Sequence, residues 1–327
     1  MGLVCGAAGF IGSHMCALLR REGIEHAAFD SLEKGHSDAL YETPLIKGDL
    51  RDRGSIRSAL ASAKFTQVMH FGASIEVGES VKEPAAFWQN NFIGAWNLLE
   101  EMRIAGINQF VFSSTAAVYG EPQQVPIPEG HPKNPTSPYG ETKLAVEQAL
   151  AAYDRAYGLK SVVLRYFNAC GSDHEGKLGE DHRPETHLIP CALRAAAGRS
   201  PALTLFGTDY DTPDGTCIRD YVHVEDLAAA HLLAIKHLDK GGESRTYNLG
   251  SGSGFSVKAI IAACEEASGQ SIPVILSGRR AGDPARLIAD SSAIHRDWGW
   301  EPKWTSVVDI AKHAWNWMEV NPEGYKN

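Results

Sequence analysis

The sequence lacks the features that would place the protein at a membrane or on a nucleic acid. None of its apolar runs approaches the roughly 18 residues that a membrane-spanning helix needs. Lysine and arginine are outnumbered by aspartate and glutamate, 31 to 40. The resulting net charge of -9 disfavours binding to nucleic acid or to an anionic membrane surface. The first six residues, MGLVCG, run into a glycine-rich turn without the basic and apolar regions of a signal peptide. We therefore expect neither a membrane nor a nucleic acid among the partners.

Cysteine pairs and metal-ligand spacings are also missing. The six cysteines are scattered and form no CxxC motif, which predicts reduced thiols in a cytoplasmic protein. No HExxH motif and no cysteine and histidine cluster occurs, so no metal ion is expected. With 43% hydrophobic and 22% charged residues, the 327-residue chain can bury a sizeable core and is expected to divide into two lobes.

A glycine-rich turn follows the first predicted strand. Residues 3–5 are apolar, and Gly6, Gly9 and Gly12 then form a GxxGxxG motif at the start of an amphipathic helix that continues to about residue 22. Glycines at a turn from strand to helix let backbone amides approach a pyrophosphate, and the helix dipole favours its negative charge. The motif therefore predicts a site for a dinucleotide.

An acidic residue at the end of the next strand indicates which dinucleotide binds. Residues 26–29 form a predicted strand that ends in Asp30, which lies 18 residues after Gly12. A carboxylate there accepts hydrogen bonds from the ribose hydroxyls of adenosine and repels a 2′-phosphate. No arginine follows Asp30 directly, so NAD is favoured over NADP.

Strand and helix signals, which include a helix over residues 84–105, then alternate as far as residue 168 and predict a Rossmann-type, doubly wound parallel sheet. Beyond this point the alternation breaks, and the remaining segments, which include a strand over residues 219–223, predict a smaller mixed α/β lobe that selects the substrate. We expect an NAD-binding domain over residues 1–170 and a substrate-binding lobe over residues 171–327. Some segments of the second half are expected to return to the first domain.

Tyr139 and Lys143 suggest a proton-transfer site on a predicted helix. Four residues apart, they share one helix face, so their polar ends can converge. Lowering a tyrosine pKa from about 10 to about 7 needs roughly 4 kcal/mol. An ammonium about 4 Å away supplies roughly that much at an effective dielectric constant near 20. Thr115, at the end of a predicted strand, adds a hydroxyl at the edge of the sheet where ligands bind.

In this order and at this spacing, the motifs resemble the extended short-chain dehydrogenase/reductase family. The glycine turn, Asp30, Asp49, Thr115 and the Tyr139-x-x-x-Lys143 motif all match. The resemblance covers nearly the whole chain and is strongest to the nucleotide-sugar 4-epimerases of that family. The runs that carry it are residues 70–73, 77–80, 137–143, 164–168, 207–210, 214–216, 218–224 and 247–250.

The resemblance implies two sets of binding residues beside the catalytic residues Tyr139, Lys143 and Thr115. The NAD set is Gly6, Gly9, Phe10, Ile11, Gly12, Asp30, Ser31, Leu32, Lys34, Gly35, Asp49, Leu50, Phe71, Gly72, Ala73, Ile75, Asn90, Thr115, Tyr139, Lys143 and Phe167. The set for a UDP-sugar is Thr115, Tyr139, Asn168, His187, Leu188, Thr204, Leu205, Phe206, Arg219, Arg280, Asp283 and Leu287.

The activity implied by the resemblance is interconversion of UDP-galactose and UDP-glucose through a transient 4-keto sugar, with Tyr139 as acid and base. A homodimer is implied as well. A UDP-pentose or a UDP-uronate is an alternative substrate. An N-acetylated UDP-hexose is another, because Leu287 falls where some members carry a tyrosine beside the hexose, and a smaller side chain there leaves room for the N-acetyl group. Two further alternatives are a nucleotide-sugar dehydratase and an NAD-binding regulator without turnover. A dehydratase needs an acid and base pair where this chain has Ala116 and Ala117.

Overall fold

Short apolar strands in the first half of the chain assemble into a parallel sheet. The protein is described by a computed structural model over residues 1–280 and 283–326. Its strands are β1 Gly2–Cys5, β2 His26–Asp30, β3 Leu45–Lys47, β4 Gln67–His70, β5 Gln109–Thr115, β6 Lys160–Tyr166, β7 Asn168–Cys170, β8 Leu203–Phe206, β9 Ile218–Arg219, β10 Tyr221–His223, β11 Arg245–Leu249, β12 Phe255–Ser256, β13 Val274–Ser277 and β14 Arg286–Leu287.

Seven of these strands form the central sheet in the order β11-β6-β5-β4-β1-β2-β3. Every neighbouring pair is parallel. From β1 the chain builds one edge through β2 and β3, and then crosses back to place β4 on the other side of β1. Ligands of such sheets bind beyond the carboxyl ends of the strands at this reversal. The predicted Rossmann-type fold is confirmed.

Helices cover both faces of the sheet. Met15 and Leu227 belong to the apolar core under one face, while Leu98 and Leu150 belong to the core under the other. The helices are α1 Phe10–Arg21, α2 Arg53–Ala61, α3 Val77–Lys82, α4 Pro84–Phe87, α5 Gly94–Ala105, α6 Pro138–Tyr157, α7 Leu188–Ala196, α8 Val224–Asp239, α9 Val257–Ser268, α10 Ser292–Trp298 and α11 Val307–Val320.

The C-terminal half has a core of its own but also returns to the sheet. Leu193 of α7, Ile260 of α9 and Ile310 of α11 share one buried cluster. Strand β11 nevertheless pairs with β6 as the last strand of the central sheet. The domain boundary at residue 170 stays a prediction, and β11 is a segment that crosses it. Among the described residues, no helix has the length and apolar character needed to traverse a bilayer.

Two segments differ from the expected single elements. The helix expected over residues 84–105 contains a π-helical stretch, Trp88–Ile93, between α4 and α5. The strand expected over residues 219–223 is divided into β9 and β10, which belong to different small sheets. Asp220 lies at the division because its buried carboxylate accepts hydrogen bonds from the backbone amides of Ser251, Gly252 and Ala289.

Candidate active site

The glycine turn lies at the reversal of the sheet, where two backbones nearly touch. Gly6 has a φ of +73°, and a Cβ there would overlap the backbone of Gly72. A Cβ at Gly12 would overlap the carbonyl oxygen of Gly6. The protein's own backbone therefore requires glycine at both positions, because any side chain would push β1, β4 and α1 apart.

Gly9 has a different environment. Its φ of −81° suits any residue, and a Cβ would meet only the carbonyl oxygen of Gly6, at an ordinary 3.5 Å. No side chain of the described residues caps the start of α1, and its first turn carries no acidic residue. The space beside Gly9 and the uncapped helix start fit a pyrophosphate, which needs close backbone approach and the positive end of a helix dipole.

Asp30 lies beside this turn at the end of β2. One carboxylate oxygen accepts the backbone amide of Ala8 at 2.9 Å, and the other accepts that of Leu32 at 2.8 Å. Burial raises the Asp30 pKa, while these amide hydrogen bonds lower it. The carboxylate is therefore held at the rim of the glycine turn, where it fits the ribose diol of a dinucleotide.

Asp49, at the next position expected to contact the cofactor, is already paired. Its carboxylate binds Arg51 at 2.6 Å, and Arg51 also contacts Glu33 at 2.5 Å. The hydrogen bond from Arg51 holds the Asp49 pKa below its ordinary value. The two carboxylates keep the guanidinium engaged, which agrees with a site for ribose hydroxyls rather than for an added phosphate.

The π-helical stretch fixes the loop that follows β4. Asn91 accepts the backbone amide of Ser74 at 2.8 Å and donates to its carbonyl oxygen at 2.9 Å. The neighbouring Asn90 donates to the Ser74 hydroxyl at 3.2 Å. A π-bulge of this kind is frequent at functional sites. The expected cofactor residues Phe71, Gly72, Ala73 and Ile75 lie in the loop that these bonds hold.

The structure brings Thr115, Tyr139 and Lys143 together at the carboxyl end of β5. Ser137 caps α6 through the amide of Gly140 and so sets the start of the helix. The Thr115 hydroxyl is hydrogen-bonded to the Tyr139 phenol. The Lys143 ammonium lies 6.0 Å from the centre of the Tyr139 ring and donates to the carbonyl oxygen of Ser113 at 2.9 Å.

The electrostatics of this trio differ from the sequence-based expectation. Burial raises the pKa of Tyr139 to about 12, although the hydrogen bond from Thr115 lowers it. Burial also lowers the pKa of Lys143 to about 7, against the opposing effect of the Glu147 carboxylate. The expected lowering of the tyrosine pKa by the lysine is not achieved in the protein chain alone. Desolvation outweighs the ammonium, which is itself only partly charged near pH 7.

A buried ion pair supports the trio from behind. Arg165 of β6 binds Glu147 of α6 through two hydrogen bonds of 2.9 and 2.5 Å. Glu147 also accepts the Ser114 hydroxyl at 2.6 Å, and Arg165 donates to the Tyr119 hydroxyl at 2.9 Å. Since Ser114 precedes Thr115 and Glu147 lies one turn beyond Lys143, this network fixes the strand and the helix that carry the trio.

The residues expected to bind UDP form a second group, at the ends of β8 and β9. The Arg280 guanidinium lies 4.1 Å from the centre of the Phe206 ring, and Arg219 is hydrogen-bonded to Asp283. Leu287 follows in β14, whose pairing with β9 places it beside Arg219. Both arginines are therefore engaged by neighbouring side chains.

The other expected substrate residues differ in whether their side chains are exposed or already engaged within the protein. Asn168 uses its side-chain amide to bind the carbonyl oxygen of Asp220 at 2.8 Å. Thr204 is exposed, whereas Leu205 is buried in the core of the C-terminal lobe. Leu188 begins α7, and His187 caps it without a side-chain hydrogen bond to the helix. Phe167 packs in a small apolar cluster that also includes Leu287.

Sequence reasoning missed the supporting network, although part of its signal was present. Glu147 follows Lys143 by four residues, so a charged side chain lies on the helix face that also carries the catalytic candidates. Arg165 and Tyr119 carry no comparable signal, because only the folded sheet brings them to Glu147. The roles assigned to the individual site residues stay predictions.

The fold, the glycine turn and the tyrosine and lysine pair define an enzyme of the short-chain dehydrogenase/reductase type that uses a dinucleotide. A family model described as the NAD-dependent epimerase/dehydratase family matches residues 2–250, and the chain belongs to that family.

Named relatives are similar over their full length. A UDP-glucose 4-epimerase from Halalkalibacterium halodurans is 49% identical over 323 residues, which cover 99% of this chain and 97% of the relative. The crystal structure of a UDP-glucose 4-epimerase is 48% identical, has a TM-score of 0.97, and is matched over 100% of this chain and 99% of that chain. Another, from Bifidobacterium longum in complex with NAD+ and UDP, is 37% identical with a TM-score of 0.95 and 99% coverage of both chains.

Proposed function

We propose that this protein is an NAD-dependent enzyme that interconverts UDP-galactose and UDP-glucose by inverting C4 of the hexose. The observation that carries the proposal is the convergence of Thr115, Tyr139 and Lys143 at the carboxyl end of the parallel sheet, the edge that also carries the glycine turn. The names of the similar proteins support this reaction and this substrate.

The residues of the glycine turn, Asp30 and the loop after β4 would hold the cofactor. When bound, oxidised NAD supplies a hydride acceptor and a positively charged ring. A positive charge beside the buried phenol favours its anion, which supplies the stabilisation that Lys143 alone does not provide. This would offset the burial that raises the pKa of Tyr139 to about 12.

Proton transfer is assigned to Tyr139. Its phenolate accepts the proton of the sugar 4-hydroxyl while C4 loses a hydride, which leaves a 4-keto sugar. Thr115 holds the reacting oxygen by a hydrogen bond, and Lys143 stabilises the negative charge on the tyrosine. The keto sugar then turns its other face to the site, regains the hydride at C4, and takes the proton back from Tyr139. Atoms and charge balance over the cycle.

The proposed contacts with the nucleotide allow the keto sugar to rotate between the two hydride transfers. Arg219 and Arg280 present the planar, doubly donating groups that bind phosphate oxygens, and Phe206 offers an aromatic ring for uracil. Because these residues bind the UDP and not the hexose, the hexose is free to rotate about its link to the diphosphate. Dehydration is disfavoured because Ala116 and Ala117, which follow Thr115, cannot transfer a proton.

The proposal is tested by incubating the purified protein with UDP-galactose, without added NAD, and separating the nucleotide sugars by chromatography. We expect conversion to a mixture that contains UDP-glucose. The NAD content of the same sample is measured after denaturation, and NAD is added if the protein is empty. A protein shown to hold NAD that converts no UDP-galactose would contradict the proposed activity.

A Gly9→Ala variant in the same assay tests the cofactor site. The methyl group meets no close protein atom but enters the space assigned to the pyrophosphate. Forced contacts of this kind cost about 1–3 kcal/mol, or roughly 5- to 150-fold in NAD affinity. Thermal unfolding of the NAD-free protein should stay unchanged. The control is Gly130→Ala, since a Cβ there meets no atom within 4 Å. Equal NAD affinity in the two variants would refute this placement of the cofactor.

We also propose that the protein is a cytoplasmic homodimer. All six cysteines are free thiols, which supports a reducing compartment. The helical segments 84–105 and 139–157, which the resemblance assigns to the pairing of two subunits, carry large apolar side chains that are exposed in the single chain: Trp88, Trp96, Ile104 and Tyr157. A second copy that covers them would remove this apolar surface from water.

Sedimentation velocity tests the dimer. We expect wild-type protein to sediment as a dimer and Trp96→Glu to shift toward the monomer, because a carboxylate would be buried without a partner. Ile275→Glu is the control, since Ile275 is also exposed but lies on β13 in the C-terminal lobe. A monomeric wild-type protein would exclude the dimer, and a dimeric Trp96→Glu variant would exclude this face.

A further inference from the structure

The connection between β7 and α7 carries a group of metal-ligating side chains that are separate from Thr115, Tyr139 and Lys143, although one of them, His187, is also in the set expected to bind the UDP-sugar. Glu180, His182, Glu185 and His187 follow the spacing ExHxxExH, and one ligand atom from each lies within 4.8 Å of all the others. Their neighbours in the run point elsewhere. Asp181, for example, binds Arg183 at 2.9 Å and accepts the backbone amide of Tyr325 at 2.9 Å.

The separations between the imidazole nitrogens and the carboxylate oxygens are close to those around a small ion, and Glu185 approaches the two histidines with different oxygens. His182 Nδ1 lies 3.2 Å from Glu180 Oε1 and 3.6 Å from Glu185 Oε2. His187 Nδ1 lies 2.6 Å from Glu180 Oε1 and 3.4 Å from Glu185 Oε1. Nitrogen and oxygen ligands at about 2.0–2.1 Å around a tetrahedral Zn2+ are roughly 3.3 Å apart. Only the contact between His187 and Glu180 is markedly shorter, and a bound ion would separate these two atoms.

Three of these atoms have no hydrogen bond of acceptable geometry among the described residues, although they lie close together. They are Glu180 Oε1, His182 Nδ1 and His187 Nδ1, and all three are buried. Glu180 is only 8% exposed. Buried polar atoms are normally hydrogen-bonded, and an exception needs an explanation such as an ion. The three atoms face one another, since both imidazole nitrogens lie within 3.2 Å of Glu180 Oε1.

From this geometry we propose that Glu180, His182, Glu185 and His187 bind one divalent transition-metal ion, with Zn2+ as the best fit. Two imidazoles with two carboxylates suit zinc, whereas Mg2+ and Ca2+ prefer oxygen ligands alone. Four protein ligands close the coordination shell, so the ion is structural and activates no water. The two carboxylates balance the charge of the ion.

The surroundings of the cluster meet two further requirements of a metal site. Glu185 Oε1 accepts the backbone amides of Thr186 and His187, both at 2.8 Å, which fixes the orientation of its carboxylate. The His187 side chain is 42% exposed, so an ion can enter from solvent.

The position of the cluster indicates what the ion would hold in place. The His182 ring lies edge-on to Phe10 of the glycine turn, with the ring centres 6.4 Å apart. His187 directly precedes α7 and its apolar core contacts. The ion would therefore tie the long connection between the lobes to the start of α7, beside the cofactor turn.

A second group with similar residue types is already bound by other side chains of the protein. Asp173, His174 and Glu225 also lie within ligand distance of one another. Here Arg21 pairs with both carboxylates, and Trp304 donates to Glu225 at 3.0 Å. His174 makes a direct hydrogen bond to Glu225 at 2.9 Å. Protein groups already satisfy this cluster, which makes it a suitable internal control.

The test uses the full-length protein without an affinity tag. Bound metal is removed with a chelator, and the protein is then titrated with Zn2+ or Co2+ alone. We expect one ion per chain and, for Co2+, the intense visible absorption of a tetrahedral complex. Loss of an outer-shell partner costs roughly 10- to 100-fold in metal affinity. Glu180→Gln and His182→Gln remove direct ligands, so each should weaken binding by about 100-fold or more.

His174→Gln is the matched control and should bind the ion as the wild type does. Binding that Glu180→Gln and His182→Gln leave unchanged would overturn the proposal, as would binding that His174→Gln weakens equally. The cobalt spectrum is measured on the wild-type protein, so this part of the test does not depend on whether the variants fold. A wild-type protein that takes up no ion, or one that gives only the weak bands of octahedral Co2+, would overturn it as well.

Discussion

Replacement of Tyr139 by phenylalanine is expected to lower kcat for UDP-galactose by about 10³-fold or more. The substitution removes the phenolic oxygen that exchanges the proton and leaves the ring in place. General acid and base catalysis by a positioned group is worth about 10²–10⁴-fold. Since the nucleotide contacts lie at β8 and β9, the affinity for UDP should change by less than threefold. Steady-state kinetics and calorimetric titration with UDP measure the two effects.

Tyr157→Phe provides the control for this experiment. Tyr157 is the last residue of the same helix and is exposed, so the loss of its hydroxyl should leave kcat unchanged. A Tyr139→Phe enzyme that keeps a tenth or more of the wild-type kcat would show that another group transfers the proton. A fall in kcat together with a large loss of UDP affinity would indicate a disturbed site instead.

Replacement of Arg165 by methionine is expected to give the largest loss of stability. The side chains of Arg165 and Glu147 are 4% and 7% exposed, so the variant leaves a buried carboxylate without its cation. Breaking a buried ion pair on one side costs about 3–5 kcal/mol. Urea unfolding of the two proteins, followed by circular dichroism, measures the difference in the free energy of unfolding.

Two further variants separate the ion pair from a general effect of methionine. Arg155→Met removes an exposed arginine from the same helix as Glu147 and should change the free energy of unfolding by about 0.5 kcal/mol or less. The double variant Arg165→Met with Glu147→Met should recover much of the lost stability, because no uncompensated charge remains. A single Arg165→Met variant as stable as Arg155→Met would mean that the pair contributes nothing.

The fold could be predicted from the sequence because each motif that indicates it lies within a short stretch of the chain. A strand, three glycines and a helix occur within the first 21 residues, and Asp30 ends the next strand. Alternation of strands and helices then leaves few arrangements other than a doubly wound parallel sheet. The division of residues 219–223 into two strands was not predictable in this way. It depends on Asp220 binding amides of residues that are 31 to 69 positions away.

The candidate site shows the same limit. The spacing of Tyr139 and Lys143 indicated a shared helix face, and the structure places both near Thr115. The pKa values could not be deduced from spacing, because they depend on how deeply the folded sheet buries the phenol and the ammonium. The ExHxxExH run likewise gave no prediction of a metal site, since its ligands converge only when the irregular connection before α7 folds back on itself.

The return of β11 to the central sheet affects the order in which the protein can be completed during synthesis. Strand β6 ends at Tyr166 and β11 begins at Arg245. At about 5–20 residues per second, the ribosome needs roughly 4–16 s to make the intervening chain. During this interval β6 is paired with β5 on one side only, and its other edge can associate with other chains. Chaperones that shield exposed strands would therefore matter most between the synthesis of β6 and that of β11.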